Sequence, residues 1–463
     1  MSFGSGFGIS KRGSGGGGGE VNTASNVGMG VQVFKQKTGV DLEFRTLLPN
    51  GISANNALIL DQNADTIEIT VRTGTFGISN GQGYYTFYTT LSAAITAATS
   101  GQTIVMFDNV TETTSTPINL KDGVNIDLNG HTYTLDVADV ANTFQDNEVA
   151  VIVNISNGKI VRANGATPTS TNTTALQVAN SLSEITLSNV QLLNETGSAL
   201  YTLGKVYGGT ITSNWSEGNE GVYIDGTDSE LVGSNVIGNT TMFVRGTIKK
   251  CYVYSENFNA DPRTLSAAVN TSGEIEDCIV ESNLGYAIQS TSAKISNTIA
   301  YSVAQIAYNE VGVSSKLSNC YFRSSGSYAM NGVIINSNNC VCESDVDYAA
   351  NASNSEHTDS VFISSGSSAY NSPSNCKFFS CTFKAESNLD GLHGLRLIGG
   401  IDYIIGCRFE VNNAINFAVI GVNGIPTEIY AVGNIATRCS VMFDNVTNLQ
   451  SNTPDLYGNI LVG

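Results

Sequence analysis

Short segments in which apolar and polar positions alternate return at regular intervals between residues 108 and 440. Each segment has an apolar or small residue at every second position and an Asn, Asp or Gly at its turn. This pattern is typical of one short β-strand whose alternate residues point inward. Because the segments return every 20 to 27 residues, the pattern predicts a solenoid in which each repeat stacks on the next. The units begin at Leu187, Ile248, Ile275, Ile295, Leu317, Ser337, Phe378 and Ile404.

The fourth position of each unit is the most regular one. Equivalent residues of stacked coils lie about 4.8 Å apart, so these side chains are expected to form one column. A column of cysteines could serve redox or metal chemistry, but a threonine takes the same position, and small, weakly polar residues suit a narrow interior. We interpret the column as interior packing. Its members are Val190, Cys251, Cys278, Thr298, Cys320, Cys340, Cys381 and Cys407.

The repeat predicts an all-β fold, a parallel β-solenoid with about fifteen coils between residues 118 and 440. Its interior would be filled by side chains, so a ligand can bind only on a side of the solenoid, in an inserted loop or between neighbouring copies. Residues 108–440 form the solenoid domain in this interpretation. Residues 441–463 are assigned to a C-terminal cap or tail.

Residues 88–105 carry a helical pattern, with Leu91, Ala94, Ile95 and Ala98 on one face. Thr89 or Thr90 is the candidate N-cap, and residues 100–101, Ser and Gly, are the stop signal. A helix across the open end of a solenoid covers strand edges that would otherwise pair with other chains. We therefore assign residues 81–107 to a capping helix and the first strand of the solenoid.

The N-terminal region has two parts. Residues 1–26 are a glycine-rich arm, in which Phe3, Phe7 and Ile9 could insert into the groove of a partner protein. The alternative is an untethered terminus with no partner. Residues 27–80 contain short alternating segments separated by turn residues, which predict a small β-module.

The charge balance narrows the range of partners. The formal net charge is -18 and the sequence pI is about 4.5, which repels nucleic acid and anionic membrane surfaces. No run of eighteen apolar residues is present, and the first residues lack the apolar core of a signal peptide. We expect a soluble chain that binds no nucleic acid and does not insert into a membrane.

The cysteines and histidines give no metal-site pattern. The nine cysteines are an odd number, and none lies in the first 250 residues. The pairs Cys340–Cys342 and Cys376–Cys381 do not have zinc-site spacing, and the chain has only three histidines. The sequence therefore predicts no metal and no cofactor.

One stretch, residues 214–230, combines the only tryptophan with several carboxylates. An aromatic platform beside carboxylates suits a sugar ring, through stacking and hydroxyl acceptors, and two carboxylates at the right spacing could act as acid and base. The alternative is a solvated acidic turn with the tryptophan as a surface anchor. Trp215, Glu220 and Asp225 are the glycan-binding candidates, and the catalytic candidates here are Glu217, Glu220, Asp225 and Asp228, with Glu230 nearby.

A second stretch, residues 386–396, interrupts the repeat. His393 could act as a general base, and Arg396 could hold a carboxylate, as chemistry on an acidic sugar would need. Glu386 and Asp390 lie close to them in sequence. The alternative is a loop between coils whose leucines, Leu389, Leu392 and Leu395, pack inward.

Two segments resemble known families. Residues 88–107 followed by 123–131 are similar to the start of a pectin-lyase-like β-helix, which implies that the solenoid is a right-handed parallel β-helix. Residues 28–48 and 65–71 resemble a short module near the N-termini of bacteriophage tail fibre and tailspike proteins. The second resemblance implies a virion tail protein that is assembled in the host cytoplasm as a parallel homotrimer. It also implies that the N-terminal region attaches to other virion tail proteins.

These observations leave three functions open. The first is a non-enzymatic tail fibre or spike whose β-helix binds a host-surface glycan or receptor. The second is a tailspike depolymerase, a hydrolase or lyase that cleaves host polysaccharide. The third is a purely structural stalk or adhesin. Sparse charge and the lack of a clear carboxylate pair on neighbouring coils favour the first over the second.

Overall fold

The computed structural model describes the backbone of residues 34–38, 41–44, 58–62, 67–71, 74–79, 85–138, 141–163, 173–214, 221–238, 242–256, 267–312, 314–386, 393–412, 417–421, 427–437, 441–444 and 460–462. The chain divides into two compact units, Met1–Val71 and Arg72–Gly463. The first unit contains two antiparallel hairpins, whereas residues 74–79 of the expected 27–80 module belong to the second unit. One pairs Phe34–Thr38 with Asp41–Phe44, and the other pairs Leu58–Gln62 with Ile67–Val71. The arm residues Phe3, Phe7 and Ile9 lie outside the described residues.

The second unit is a right-handed parallel β-helix, as the sequence predicts. Each coil has up to three strands, and equivalent strands of successive coils pair in parallel, so the chain forms three faces that we call A, B and C in the order of the chain. Three long strands run over faces A and B without a break: Ile152–Ala163, Glu184–Asn194 and Lys205–Ser213. The other face A strands are Thr103–Met106, Asn125–Asp127, Glu230–Val232, Thr247–Lys249, Glu274–Glu276, Lys294–Ser296, Ser315–Ser318, Ile335–Asn338, Glu356–Thr358, Lys377–Phe379, Gly400–Ile405 and Thr427–Val432.

Faces B and C complete the coil. The other face B strands are Val110–Glu112, Thr132–Asp136, Asn235–Gly238, Tyr252–Ser255, Ile279–Ser282, Ile299–Ser302, Tyr321–Ser324, Val341–Ser344, Val361–Ser364, Thr382–Ala385, Arg408–Val411, Ile435–Thr437 and Ile460–Val462. Face C is a separate sheet of fifteen strands. They are Ile118–Asn119, Phe144–Gln145, Leu176–Val178, Leu200–Thr202, Val222–Ile224, Met242–Val244, Ala267–Thr271, Tyr286–Ser290, Tyr308–Glu310, Met330–Gly332, Ala350–Ala352, Tyr370–Ser372, Leu395–Leu397, Phe417–Gly421 and Val441–Asp444.

Side chains that point inward form columns which fill the interior. On face B, Phe362, Phe383 and Phe409 lie in register and are fully buried. Their rings stack at centroid distances of 5.4 and 5.0 Å. Each buried phenylalanine contributes about 1.5–3 kcal/mol of hydrophobic free energy. The core is therefore a set of axial stacks, which leaves only the outer surfaces of the three faces for a ligand.

The first coil is capped in two ways. The capping helix, Leu91–Ala97, begins at Thr90, whose side chain accepts a hydrogen bond from the Ala93 N–H, and its buried residues include Leu91 and Ile95. The strand Phe76–Ser79 pairs antiparallel both with Tyr85–Tyr88 and with the first face A strand, Thr103–Met106. The face A edge of the first coil is therefore paired rather than open, which protects that edge from association with other chains. The helix is too short to span a membrane, and no other helix lies in the described parts of the chain.

The corner between faces A and B is built by residues in the left-handed conformation. Asn297, Asn319 and Asn339 have φ angles of 49°, 54° and 52°. Asparagine tolerates this region better than other side-chain-bearing residues. Their amides bond along the axis, from Asn339 Nδ2 to Asn319 Oδ1 at 2.9 Å and from Asn319 Nδ2 to Asn297 Oδ1 at 3.1 Å. The next residue in each coil belongs to the column of cysteines, and the eight cysteines in the described residues are free and buried.

Candidate functional site

Each face C strand contributes one residue to a column that is continuous in register, and the described side chains of this column point outward. Residues on either side of them point inward; for example, Val222 and Ile224 are fully buried. Amide and aromatic side chains make up the column until its last three positions. In order, the column is Asn119, Gln145, Gln177, Tyr201, Tyr223, Phe243, Asn270, Gln289, Asn309, Asn331, Asn351, Asn371, Arg396, Ile420 and, by backbone register, Asp444. We call it the face C column.

Three consecutive members of the face C column are aromatic. The ring centroids of Tyr201 and Tyr223 are 6.3 Å apart, and those of Tyr223 and Phe243 are 5.9 Å apart. The rings are tilted by 45° and 52° rather than stacked flat. Tyr223 and Phe243 are partly exposed, whereas Tyr201 is nearly buried. These three residues, which we call the aromatic cluster, form an apolar strip on a surface that is otherwise polar.

An ion pair borders the aromatic cluster. Asp225 and Arg245 each follow the last residue of a face C strand, so the stacking of coils brings them together. Arg245 Nη1 lies 2.9 Å from Asp225 Oδ1, and the guanidinium carbon is 5.1 Å from the centroid of the Phe243 ring. The hydroxyl of Tyr201 donates to Asp225 Oδ2 at 3.3 Å. Burial, followed by the charge of Asp225, raises the pKa of Tyr201 above its usual value.

This arrangement suits a sugar. The aromatic faces can stack against the C–H surface of a pyranose ring, while a carboxylate and a guanidinium at the edge can accept from and donate to its hydroxyls. Both oxygens of Asp225 already have partners within the cluster. The cluster therefore presents fixed polar groups beside aromatic rings, and it lacks an unoccupied pair of carboxylates for acid–base catalysis.

The structure places the residues of the 214–230 stretch separately. Asp225 belongs to the ion pair just described, and Asp228 lies on an exposed turn between faces C and A. Glu230 begins a face A strand, in register with Lys205 and Thr247. The candidates Trp215, Glu217 and Glu220 lie outside the described residues.

The 386–396 stretch divides in a similar way. His393 is buried, and its backbone N–H donates to Ser368 Oγ at 2.9 Å. Leu395 is also fully buried, whereas Arg396 is a member of the face C column. Asp390, Leu389 and Leu392 lie outside the described residues. Across the described parts of the chain, no three side chains of His, Cys, Asp or Glu are grouped as a metal site would need.

A serine–histidine pair lies inside the coil. Ser337 Oγ is 2.7 Å from His357 Nδ1, a separation that would suit a nucleophile and its general base. Both residues are buried, and His357 Nε2 is 2.7 Å from the hydroxyl of Tyr370. Burial lowers the pKa of His357 to about 3. The pair has no access to a substrate, so its role is in packing the interior.

A shallow recess lies at the corner between faces A and B in the early coils. Its volume is about 620 Å³, and its lining includes Gly130, Asn157, Asn189, Gln191, Gly209 and Asn235. At this part of the corner, the left-handed residues include glycines, such as Gly209, as well as asparagines, such as Asn157 and Asn189. None of the described residues that line the recess is aromatic or charged. It can offer hydrogen bonds to a ligand but no ring stacking, and face C offers both.

Sequence reasoning missed the aromatic cluster. Its signal is an aromatic residue between two buried ones, as in Leu200–Thr202, Val222–Ile224 and Met242–Val244. Only the register of face C shows that these three central residues are neighbours. The chain gave no match in the comparisons with protein-family models, curated proteins and solved structures.

Proposed function

We propose that this chain is a bacteriophage virion appendage, a tail fibre or tailspike protein, whose face C binds a host-surface glycan. The aromatic cluster of Tyr201, Tyr223 and Phe243, with the ion pair beside it, is the observation that carries the proposal. The resemblance of the N-terminal region to tail fibre modules supports the virion setting. In this setting other tail proteins hold the N-terminal region.

The parallel β-helix suits this role. A solenoid with a filled interior is stiff, and all of its recognition surface is on the outside. Single sugar contacts are weak, so three copies in a homotrimer would gain avidity by engaging several glycans at once. Light scattering on the purified protein tests the trimer, and a monodisperse monomer would exclude it.

Non-enzymatic binding is favoured over cleavage because of Asp225. Its two oxygens are engaged by Arg245 and Tyr201, and the cluster holds no second carboxylate to complete an acid–base pair. A depolymerase that hydrolyses the glycosidic bond would need a second carboxylate at about 5 to 10 Å from the first. Binding without cleavage is therefore expected, and the two can be measured separately.

Incubating the protein with polysaccharides from candidate hosts tests both glycan binding and the absence of cleavage. Wild-type protein is expected to bind one of them and to release no new reducing ends or unsaturated sugars. Tyr223→Ala should weaken binding, whereas Tyr403→Ala should leave it unchanged. Tyr403 is a matched control, because it stacks on Tyr430 at 4.7 Å on the outside of face A. Equal binding by both variants would contradict the site, and new sugar ends would contradict the non-enzymatic role.

A further inference from the structure

An amide ladder runs along the face C column beyond the aromatic cluster. Asn331 Nδ2 donates to Asn309 Oδ1, Asn351 to Asn331 and Asn371 to Asn351, at 2.9, 2.9 and 2.8 Å. Every amide donates toward the preceding coil, so each carbonyl oxygen faces the following coil. The ladder therefore has a direction, and it ends on the Oδ1 atom of Asn371.

The last oxygen of the ladder is buried and lacks a hydrogen-bond partner. Asn371 is only 8% exposed, and its Oδ1 atom has no hydrogen-bond partner. A buried polar atom without a partner costs about 1–3 kcal/mol, and such atoms are rare in native proteins. Because Asn371 Nδ2 points back to Asn351, Oδ1 points toward the next residue of the column, which is Arg396. An acceptor is thus directed at the position of a cation.

Arg396 also has unused bonding capacity. Its Nη1 donates to the hydroxyl of Tyr348 at 2.8 Å, and the Tyr348 ring stacks on Tyr328 at 6.0 Å. A guanidinium has five N–H donors in a planar fork. Among the residues whose side chains the structure describes, no carboxylate lies within ion-pair distance of Arg396.

Three other surface arginines in the described part of the chain show the contrast. Arg245, Arg323 and Arg408 pair with Asp225, Asp345 and Glu410 at 2.9, 3.4 and 2.7 Å. The net charge of the chain is -18, so carboxylates are abundant. An arginine held by a tyrosine hydroxyl instead of a carboxylate, beside an unpartnered acceptor, is arranged for a group that brings both an anion and a donor.

We propose that Arg396, Tyr348 and Asn371 form a subsite for an acidic sugar. The planar carboxylate of a uronic acid matches the fork of the Arg396 guanidinium, and a neighbouring ring hydroxyl donates to Asn371 Oδ1. This inference rests on the proposed function, because it takes the ligand of face C to be a glycan. Seven coil spacings of about 4.8 Å separate Phe243 from Arg396, so the subsite lies roughly 34 Å from the aromatic cluster and can be tested separately.

Saturation-transfer NMR with single sugars tests the subsite. Glucuronate and galacturonate, each at about 10 mM, are compared with glucose and galactose, and glucose 6-phosphate provides a second anion. The uronates should receive saturation from the wild-type protein, and their affinity should exceed that of the neutral sugars by about tenfold or more. Arg396→Gln should abolish the difference. Arg408→Gln, which removes a paired arginine from face B, should preserve it.

A milder variant covers the case in which Arg396→Gln disturbs the coil. Tyr348→Phe removes only the hydroxyl that orients the guanidinium and should weaken uronate binding severalfold. The proposal is overturned if no uronate binds, if neutral sugars bind equally well, or if glucose 6-phosphate binds more tightly than either uronate. Failure of the proposed function has a different signature: no host polysaccharide binds, or Tyr223→Ala has no effect, whatever Arg396→Gln does to the uronates.

Discussion

The imidazole Nε2 atom of His357 lies 2.7 Å from the hydroxyl oxygen of Tyr370, and both residues are fully buried inside the β-helix. The other ring nitrogen is bonded to Ser337, so the histidine is satisfied on both sides in its neutral form. The aromatic rings of Phe362 and Phe378 pack around it at 5.3 and 5.4 Å. A neutral histidine is therefore part of the packed core, and its titration is linked to stability.

His357 should make the protein less stable in acid. Burial lowers its pKa to about 3 in the folded state, against a reference value of 6.5. Between these values the unfolded chain binds a proton that the folded chain does not, so stability falls as the pH drops below about 6.5. Relative to His357→Phe, the wild-type free energy of unfolding should fall by about 2 kcal/mol between pH 6.5 and 5.0. Urea denaturation at the two pH values measures this, and parallel pH profiles would contradict it.

Asp402 should make the protein less stable as the pH rises, which is the opposite of the effect of His357. Burial raises its pKa from 3.8 to about 7, and its Oδ2 atom has no hydrogen-bond partner. The folded chain therefore holds a proton that the unfolded chain releases, so stability falls as the pH rises from about 4 to about 7. Asp402→Asn should be more stable than wild type at pH 8, by about 4 kcal/mol at most, and the difference should shrink toward pH 4.

Asn434, a buried residue at the corner between faces A and B, supports the choice of asparagine as the replacement for Asp402. Asp402 Oδ1 accepts from the Cys376 N–H at 2.8 Å. Asn434 Oδ1 accepts from the Cys407 N–H at the same distance, and its Nδ2 donates to the Ile404 carbonyl. The register partner of Asp402 in the next coil is Ile429, so Asn434 lies at a different inward position, where an amide accepts a backbone N–H without carrying a charge. Loss of stability in Asp402→Asn at pH 8 would show that the carboxylate has a favourable partner there.

At the corner between faces A and B, replacing an asparagine with glycine should destabilise the protein less than replacing it with alanine. Asn319 has a φ of 54° and bonds to Asn297 and Asn339. Asn319→Gly loses these two side-chain bonds but keeps the backbone conformation at little cost. Asn319→Ala loses the same bonds and also strains the left-handed conformation, so it should be less stable than the glycine variant by about 1 kcal/mol. Thermal or urea unfolding checks the order, with the outward Ser318→Ala as a control that should change stability little.

The cysteines should be unreactive in the folded protein. Burial raises the pKa of Cys376 to about 11 and also raises that of Cys342. Alkylation requires an accessible thiolate, so at pH 8 the eight described cysteines should remain unmodified until the chain unfolds. Peptide mapping after treatment with iodoacetamide, with and without urea, measures this. Labelling of Cys320 or Cys340 in the native protein would show that the coil opens.

The sequence predicted the elements that depend on local pattern. Alternation placed Cys320 and Thr298 in one interior column, and helical spacing placed Leu91 on the buried face of the cap. The antiparallel pairing of Phe76–Ser79 with Thr103–Met106 was not predicted, because pairing between distant segments leaves no local signal.

The candidate site was harder to predict from the sequence than the fold. Asp225 was identified because it lies among other acidic residues. Tyr201, Tyr223 and Phe243 were not, because face C strands of three residues are too short to show a period, and loops of unequal length separate them. His357 and Asp402 occupy inward positions whose polarity gives no hint of burial. Only the register of the coils shows which neighbours satisfy them.

The most direct test of the central claim is a crystal structure of the protein with an oligosaccharide from the polysaccharide that it binds. The account predicts sugar density on face C, with a pyranose ring against Tyr223 or Phe243 and hydroxyls within hydrogen-bond distance of Asp225 or Arg245. Density confined to face A, face B or the recess at their corner would contradict it.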